Sequence, residues 1–393
     1  MEKIRLAIFT GSDIRNYGGG EKYVIELANR LYNFDITIFT YRDNIHHHRM
    51  SFKEIKQLTN AKIIYYNAIR VPISKELCII TKSGFNSIRR LKNFEVVYNT
   101  DTGFITNMVL NYAQRRYNFK YILGIHDSII LRETPIEQTF LKHILLYLYK
   151  PFRTLYLKNI PNIHVLNSTT YLKLKKLKCK GNLYLIPNFV YLNSRHKRTK
   201  RNNKFIALFV GRLSIIQKGI DLFADIIEKT LKINTDILFH ILGSGDDGED
   251  LIVHLAKKYP KNVKWLGFVK GRELLKEYND ASIFLLPSRF EAFPLSVIEA
   301  QSCGLPTIAF DIAGPRDIIK NTKYSSLIKP FDTDTFTVEI SKYYKLWKQN
   351  KIGYNNIKTD ITRDTLSRFS EKIIIPKLSY MFSSDIDSRA TSS

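Results

Sequence analysis

Cysteine is scarce in this chain: three in 393 residues, Cys78, Cys179 and Cys303, odd in number and widely separated. Such a set builds no disulfide framework and lacks the paired spacing of a structural zinc site. Long hydrophobic runs are missing too. Nowhere do about 18 or more apolar residues follow one another, the length that crosses a bilayer, and the apolar run in MEKIRLAIFTGSD is too short for a secretory signal. The chain is therefore read as cytoplasmic, with a peripheral station at the inner membrane face left open. Acidic residues fall well short of basic ones, 36 against 61, giving a formal net charge of +25. That excess could attract nucleic acid, anionic lipid or an acidic glycan, or it could be a generally basic surface. Disorder is excluded by composition, with 44% hydrophobic and 25% charged residues. No repeat of solenoid period is present.

A chain of this length is long for one core and comfortable for two. Short apolar runs at Arg5–Phe9, Ile36–Phe39, Ile63–Tyr65, Val96–Tyr98, Tyr121–Ile125 and His164–Leu166 alternate with polar or helical stretches. The spacing predicts an open parallel α/β sheet, whose ligands bind beyond the carboxyl ends of the strands. A second series follows the basic segment Ser194–Lys204, which has six Lys or Arg residues; their mutual repulsion suits an extended linker. No aromatic residues interleave with this charge, so specific stacking on nucleic acid is not expected.

Within the second series, LPSRFEAFPLSVIEAQSCGLPTIAFDIAGPRD, residues Leu286 to Asp317, organises the rest. It leaves a buried-strand run at Ile283–Leu286 and enters helical spacing near Pro294, a residue suited to a first helical turn because its missing N–H would have no partner there. Gly304 suits the far end, where positive φ is needed. Val297, Ile298 and Ala300 are expected to face a core, and Glu299 to lie off that face. Glu291 and Glu299 are thus presented beside a helix N-terminus, which attracts anions, while carboxylates accept hydrogen bonds from sugar hydroxyls. On spacing alone, solvated surface charges are the ordinary reading of such a pair.

Other stretches carry weaker signals. Gly18-Gly19-Gly20 precedes a helix with Val24, Leu27, Ala28 and Leu31 on one face; glycines there allow close backbone approach to a ligand or form an ordinary loop. His126-Asp127 follows the run YILGI at a strand end. The strand Phe205–Val210 ends at Gly211-Arg212, and Lys218-Gly219 begins a helix with Ile220, Phe223, Ala224 and Ile227 on one face. That brings a guanidinium fork and an ammonium to one strand end, a pairing suited to a diphosphate. Gly243, Gly245 and Gly248 spell G-x-G-x-x-G, yet the acidic residue that a dinucleotide site needs about 20 residues on is absent. His46-His47-His48 is read as an exposed loop, since adjacent histidines cannot all face one ion. From Thr139 to Ile160, Phe140, Ile144, Leu145 and Leu148 recur at helical spacing among Lys142, Lys150, Arg153 and Lys158, which fits a core helix or an anionic membrane surface.

PSRFEAFPLSVIEA with CGLPTIAFDIAGPRDII, GRLSIIQKG, GGGEKYVIELA and GxHD together resemble family 4 glycosyltransferases, the retaining nucleotide-sugar enzymes of the GT-B fold. The resemblance covers nearly the whole chain, weakly over 40–115 and strongly over 205–320. It implies an α/β GT-B protein with two Rossmann-like domains facing each other across a cleft: an acceptor-side domain over 1–193, the linker 194–204, a donor domain over 205–367, a helix at about 368–384 crossing back, and a frayed tail at 385–393. LYLIPNFV, Leu183–Val190, resembles the strand closing the first domain, with Phe189 and Tyr191 in place of the usual Gly and Asp.

By the same resemblance Arg212 and Lys218 bind the diphosphate, Glu291 the sugar hydroxyls and Glu299 the ribose. Gly18, Gly19, Gly20, Gly211, Gly243, Gly245, Ala292, Phe293 and Leu295 approach the donor, Phe268 and Val269 in VKWLGFV flank the base, and His126 contacts the donor sugar. Many members have Gly-Phe-Gly after the first Glu where this chain has Ala292-Phe293-Pro294; Pro294 has no N–H to offer a phosphate. The donor is a UDP- or GDP-sugar used as substrate, no cofactor or metal is expected, and the acceptor is a glycan, lipid or other hydroxyl compound. Two rivals are a non-catalytic GT-B protein binding nucleic acid or anionic membrane, and an epimerase of the same fold.

Overall fold

The structure, a computed structural model, describes residues 2–42, 50–66, 68–70, 78–80, 82–101, 103–126, 151, 154–190, 203–245, 247–319, 323–384 and 386. The histidine tract at 46–48, most of the 139–160 segment, and nearly all of the basic linker and the tail lie outside the described residues. Two compact units are present, Met1–Asn188 with Ile374–Ser393, and Phe189–Ile373. The chain changes unit at Asn188–Phe189, a few residues ahead of the basic segment, and again at Ile373–Ile374.

In the first unit the strands are β1 (Ile4–Phe9), β2 (Phe34–Tyr41), β3 (Lys62–Tyr66), an antiparallel hairpin of β4 (Ala68–Arg70) and β5 (Cys78–Ile80), then β6 (Val96–Asn99), β7 (Lys120–Ile125), β8 (Asn162–Val165) and β9 (Asn182–Leu185). Apart from the hairpin they form one parallel sheet in the order β3-β2-β1-β6-β7-β8-β9. Helices cover both faces of such a sheet, so its inner strands are buried on both sides and read as unbroken apolar runs. All residues of β6, β7 and β8 are buried accordingly. The run expected at His164–Leu166 pairs two residues earlier, because Asn162 and Ile163 enter register with Asn182 and Leu183.

The second unit repeats the plan with β10 (Ile206–Val210), β11 (Leu238–Leu242), β12 (Val263–Gly267), β13 (Ile283–Leu286), β14 (Thr307–Phe310) and β15 (Ser326–Ile328), in the order β12-β11-β10-β13-β14-β15, all parallel. Phe209, Phe223 and Phe239 are wholly buried in its core together with Ile220, Ile227 and Ile283. In both sheets the chain builds outward from its first strand in one direction, then returns to build in the other. The reversal falls between β1 and β6, and between β10 and β13. Loops leaving neighbouring strands toward opposite faces open a crevice at that point, the ligand position of doubly wound folds.

The C-terminal stretch forms two helices, Lys351–Phe369 and Glu371–Ser383, broken at Ser370, whose ψ of 154° is extended. At the break Val190 N–H donates to the Phe369 carbonyl at 2.8 Å. The second helix ends on Lys120, a wholly buried ammonium that donates to the carbonyls of Met381 (2.8 Å) and Ser384 (2.6 Å) and to Ser384 Oγ (2.8 Å). Three donors meet three acceptors at a helix C-terminus, where carbonyls lack partners and the dipole favours a cation. Lys120→Met, which strips those carbonyls of their donors inside the core, is expected to cost about 3 kcal/mol. The checks are the denaturant midpoint and the rate of proteolysis near residue 384; an unchanged midpoint would show that Lys120 does not anchor the helix.

Candidate functional site

The loops at the switch point of the second sheet carry Arg212, Lys218 and Glu291, three of the charged groups singled out by the sequence. Beyond β10 the chain makes a short helical turn, Ile215–Lys218, capped by Ser214 Oγ, which accepts from Gln217 N–H. Gly219 then takes φ 65° and the helix Ile220–Ile233 begins, so Lys218 closes a turn where the sequence had it opening the helix. The reason is steric. A Cβ on Gly219 would lie 2.3 Å from the Pro287 carbonyl oxygen, so only glycine lets the β10 loop press against the β13 loop. That contact brings Lys218 Nζ to 2.5 Å from Glu291 Oε1, with both side chains largely buried. Ser288 Oγ, fully buried, donates to the same carboxylate oxygen at 2.9 Å.

Arg289 ties the two loops together. Its backbone N–H donates to the Gln217 carbonyl at 2.9 Å, and Nη1 to the Ile215 carbonyl at 2.6 Å. Its fork also grips Asp221 at 2.6 and 2.5 Å. Burial alone would raise the Asp221 carboxyl, but hydrogen bonds and charge from Arg289 outweigh it and hold the group below the usual carboxylate range. Arg212 is exposed and donates through Nη2 to Gln217 Oε1 at 2.5 Å. The sequence motifs named Arg212, Lys218 and Glu291; they did not reveal Ser288 and Arg289, whose roles depend on which loop faces which.

Glycines form the floor beside these charges. Gly211 N–H donates to Leu242 O at 3.0 Å and Gly243 N–H to Gly267 O at 2.7 Å, linking the carboxyl ends of β10, β11 and β12. Gly243 has φ 137°, and a Cβ there would fall 1.7 Å from the Gly211 carbonyl oxygen; no side chain fits. Gly245, at φ 79°, donates its N–H to Glu249 Oε2 at 2.6 Å. Next to them Phe268 projects from the end of β12, 37% exposed, with Val269 following.

Beyond Glu291, Ala292 and Phe293 lead into the helix Leu295–Ser302, with Pro294 at its cap rather than in its first turn. Phe293 is buried against Phe369, ring centroids 5.5 Å apart. Gly304, at φ 79°, closes the far end as expected. One expectation fails: Glu299 does not leave the core face. It is 4% exposed, because every helix position from Val297 to Ser302 is buried, and the Tyr278 hydroxyl donates to its Oε2 at 3.0 Å. A polar partner allows that burial.

In the first unit Gly18 caps the helix Gly19–Ala28, so Gly19 and Gly20 form its first turn instead of a loop. His126 follows the last residue of β7. Its Nε2 is 2.6 Å from the Tyr98 hydroxyl, which is 2.7 Å from His164 Nδ1; His164 Nε2 is in turn 2.7 Å from the Ile186 carbonyl oxygen. Burial pushes the His164 ring down to about 4, and burial with the neighbouring His164 ring lowers His126 well below its ordinary value. Both rings are neutral at pH 7. Among the described residues no cluster of three or more His, Cys, Asp or Glu could hold a metal ion, and no helix is long and apolar enough to cross a membrane.

Known proteins resemble this chain in sequence and in fold. Residues 191–359 match the family model described as glycosyl transferases group 1. The match covers less than half of the chain. An uncharacterized glycosyltransferase of Methanocaldococcus jannaschii is 31% identical over 43% of each chain, so the match spans less than half of that relative. An uncharacterized glycosyltransferase of Haemophilus influenzae is 26% identical over 82% of this chain and 84% of its own. Among solved structures, Anabaena HepE in complex with UDP and glucose aligns over 97% of this chain and all of its own, with a TM-score of 0.72 and 15% identity. Likeness at that identity shows the fold, and the fold is GT-B, with two Rossmann-like units.

The matched segment contains Arg212, Lys218, Arg289 and Glu291. Because Lys218 and Glu291 neutralise each other inside it, Lys218→Met and Glu291→Gln are each expected to lower stability by about 2–3 kcal/mol, and the double variant by clearly less than their sum. A double-mutant cycle on urea midpoints measures this. Strict additivity would show that the pair does not form in solution.

Proposed function

We propose that the protein is a retaining glycosyltransferase that moves a sugar from a UDP- or GDP-sugar to a hydroxyl on a glycan or lipid-linked acceptor. The Lys218–Glu291 pair at the switch point supports this reading most: a partly shielded cation and a carboxylate, held by two loops that Gly219 and Arg289 lock together. A diphosphate needs the first and a sugar ring the second. In this reading donor binding splits the pair. Lys218 turns to phosphate oxygens with Arg212, and Glu291, steadied by Ser288, accepts from sugar hydroxyls. The glycine floor at Gly211, Gly243 and Gly245 lets backbone approach the diphosphate, Glu299 binds the ribose, and Phe268 with Val269 flanks the base. Ala292, Phe293 and Leu295 bring the amino end of a helix to the phosphates, although Pro294 contributes no N–H.

Chemically, the bond between the anomeric carbon and the diphosphate oxygen breaks with both electrons leaving on oxygen. Positive charge develops on the sugar and negative charge on the departing group. Arg212 and Lys218 stabilise the latter, so the cations of this reading belong to the protein. The acceptor oxygen attacks on the face the diphosphate leaves, and its proton passes to a phosphate oxygen of the leaving group. His126 and the amino end of the helix Gly19–Ala28 are the first unit's candidates for ligand contact. A lipid-linked acceptor fits the exposed Leu172 beside Lys173, Lys175 and Lys176 on the helix Ser168–Lys176, a basic and apolar edge suited to an anionic membrane surface.

The test is turnover, followed by nucleotide release with a screen of sugar donors and hydroxyl acceptors, and by proton NMR of the product's anomeric configuration. Arg212→Ala and Lys218→Ala are each expected to lower kcat by about 10²–10³, the usual loss when one stabiliser of developing charge is removed. Equal rates in wild type and variants would overturn the site assignment. An inverted anomer would overturn retention, and epimerised free donor formed without acceptor would favour the epimerase.

A further inference from the structure

The hydrogen-bonded series in the first unit has a direction, and the direction follows from its far end. The Ile186 carbonyl can only accept, so the His164 nitrogen 2.7 Å away, Nε2, carries a hydrogen. The reverse tautomer would set a nitrogen lone pair against an oxygen lone pair at that distance. His164 is wholly buried and neutral at pH 7, so its other nitrogen, Nδ1, is an acceptor. The Tyr98 hydroxyl has one hydrogen, and it goes there. Its oxygen can then only accept, so His126 Nε2, 2.6 Å away, donates to it, and the Tyr23 hydroxyl, which also interacts with Tyr98, can do so as well.

We propose that Tyr98 and His164, anchored on the Ile186 carbonyl, fix His126 as the tautomer protonated on Nε2, so that the ring presents Nδ1 as a hydrogen-bond acceptor for a donating hydroxyl of the ligand. This rests on the reading of His126 as a sugar contact. Tyr98 and His164 are positioning residues in it. The packing supports a fixed ring: Tyr23 lies 4.8 Å from the His126 ring at an angle of 57°, and His164 lies 5.4 Å away at 77°. The phenol's place is itself reserved, since a Cβ on Gly124 would come within 2.7 Å of the Tyr98 hydroxyl oxygen. A neutral imidazole left alone exchanges tautomers freely. Only one of the two can accept from a hydroxyl at Nδ1, so fixing the tautomer selects a ligand that donates there and removes the cost of choosing on binding.

Long-range ¹H–¹⁵N correlation of the imidazole nitrogens reads the tautomer directly in the full chain at pH 7, with the His126 signals assigned by their loss in His126→Gln. The expected spectrum has His126 with a protonated-type Nε2 and an unprotonated-type Nδ1, and His164 with the same pattern. Tyr98→Phe keeps the ring against Gly124 and removes the bridging oxygen; His126 should then become a mixture of tautomers, and the KM for the sugar donor should rise about three- to tenfold. A wild-type His126 protonated on Nδ1, or a tautomer unmoved in Tyr98→Phe, overturns the proposal. If the spectrum is as expected but no nucleotide sugar binds, the hydrogen-bond direction stands and the glycosyltransferase reading fails.

Discussion

A parallel sheet that grows in two directions from its first strand must leave a gap where the directions part. In the second unit that gap lies between β10 and β13, paired through Ala207 with Ile283 and Leu208 with Phe284, and the site follows from it. The loops leaving those strands are forced together above the gap, and Gly219 against Pro287 sets how closely. Without that approach Lys218 and Glu291, 73 residues apart in sequence, would have no reason to meet. Arg289 and Asp221 fasten the same two loops. The ion pair is a consequence of topology and one absent side chain.

Burying the pair has a cost that its own attraction and Ser288 must offset. An uncompensated carboxylate or ammonium at that position would be worse than either partner kept in water. Together the two charges are held in a form that is neutral as a whole. A ligand with an anionic end and a hydroxylated end can replace each partner with a better one. A simple polyanion can satisfy Lys218 only by leaving Glu291 without its partner.

Much of the fold was legible because a doubly covered parallel sheet leaves a strong trace. The runs at Arg5–Phe9, Tyr121–Ile125 and Ile283–Leu286 are strands, and Gly304 ends its helix. What went astray had local causes: Glu299 was placed off the core face because spacing does not show a helix buried all round, or the hydroxyl of Tyr278 that satisfies it. The hairpin β4–β5 left no reading, being two three-residue strands. Of the site, Arg212, Lys218, Glu291 and the glycines are visible as motifs, whereas Ser288, Arg289, Tyr98 and His164 gain meaning only from contacts across loops and strands. His164 looked like one more member of an apolar run. Its polar role comes from two strands away, where Tyr98 of β6 crosses over Gly124 of β7.

If the second unit is a donor domain, it binds a nucleoside diphosphate through ribose and phosphates at this switch point. Calorimetric titration of wild type and Glu299→Ala with UDP and with GDP at moderate salt addresses it most directly. The account predicts that one nucleotide binds wild type and that the variant loses at least about tenfold in affinity, the loss of a charged hydrogen bond. If neither nucleotide binds while polyanions bind with steep salt dependence, the account is contradicted and the fold serves another purpose.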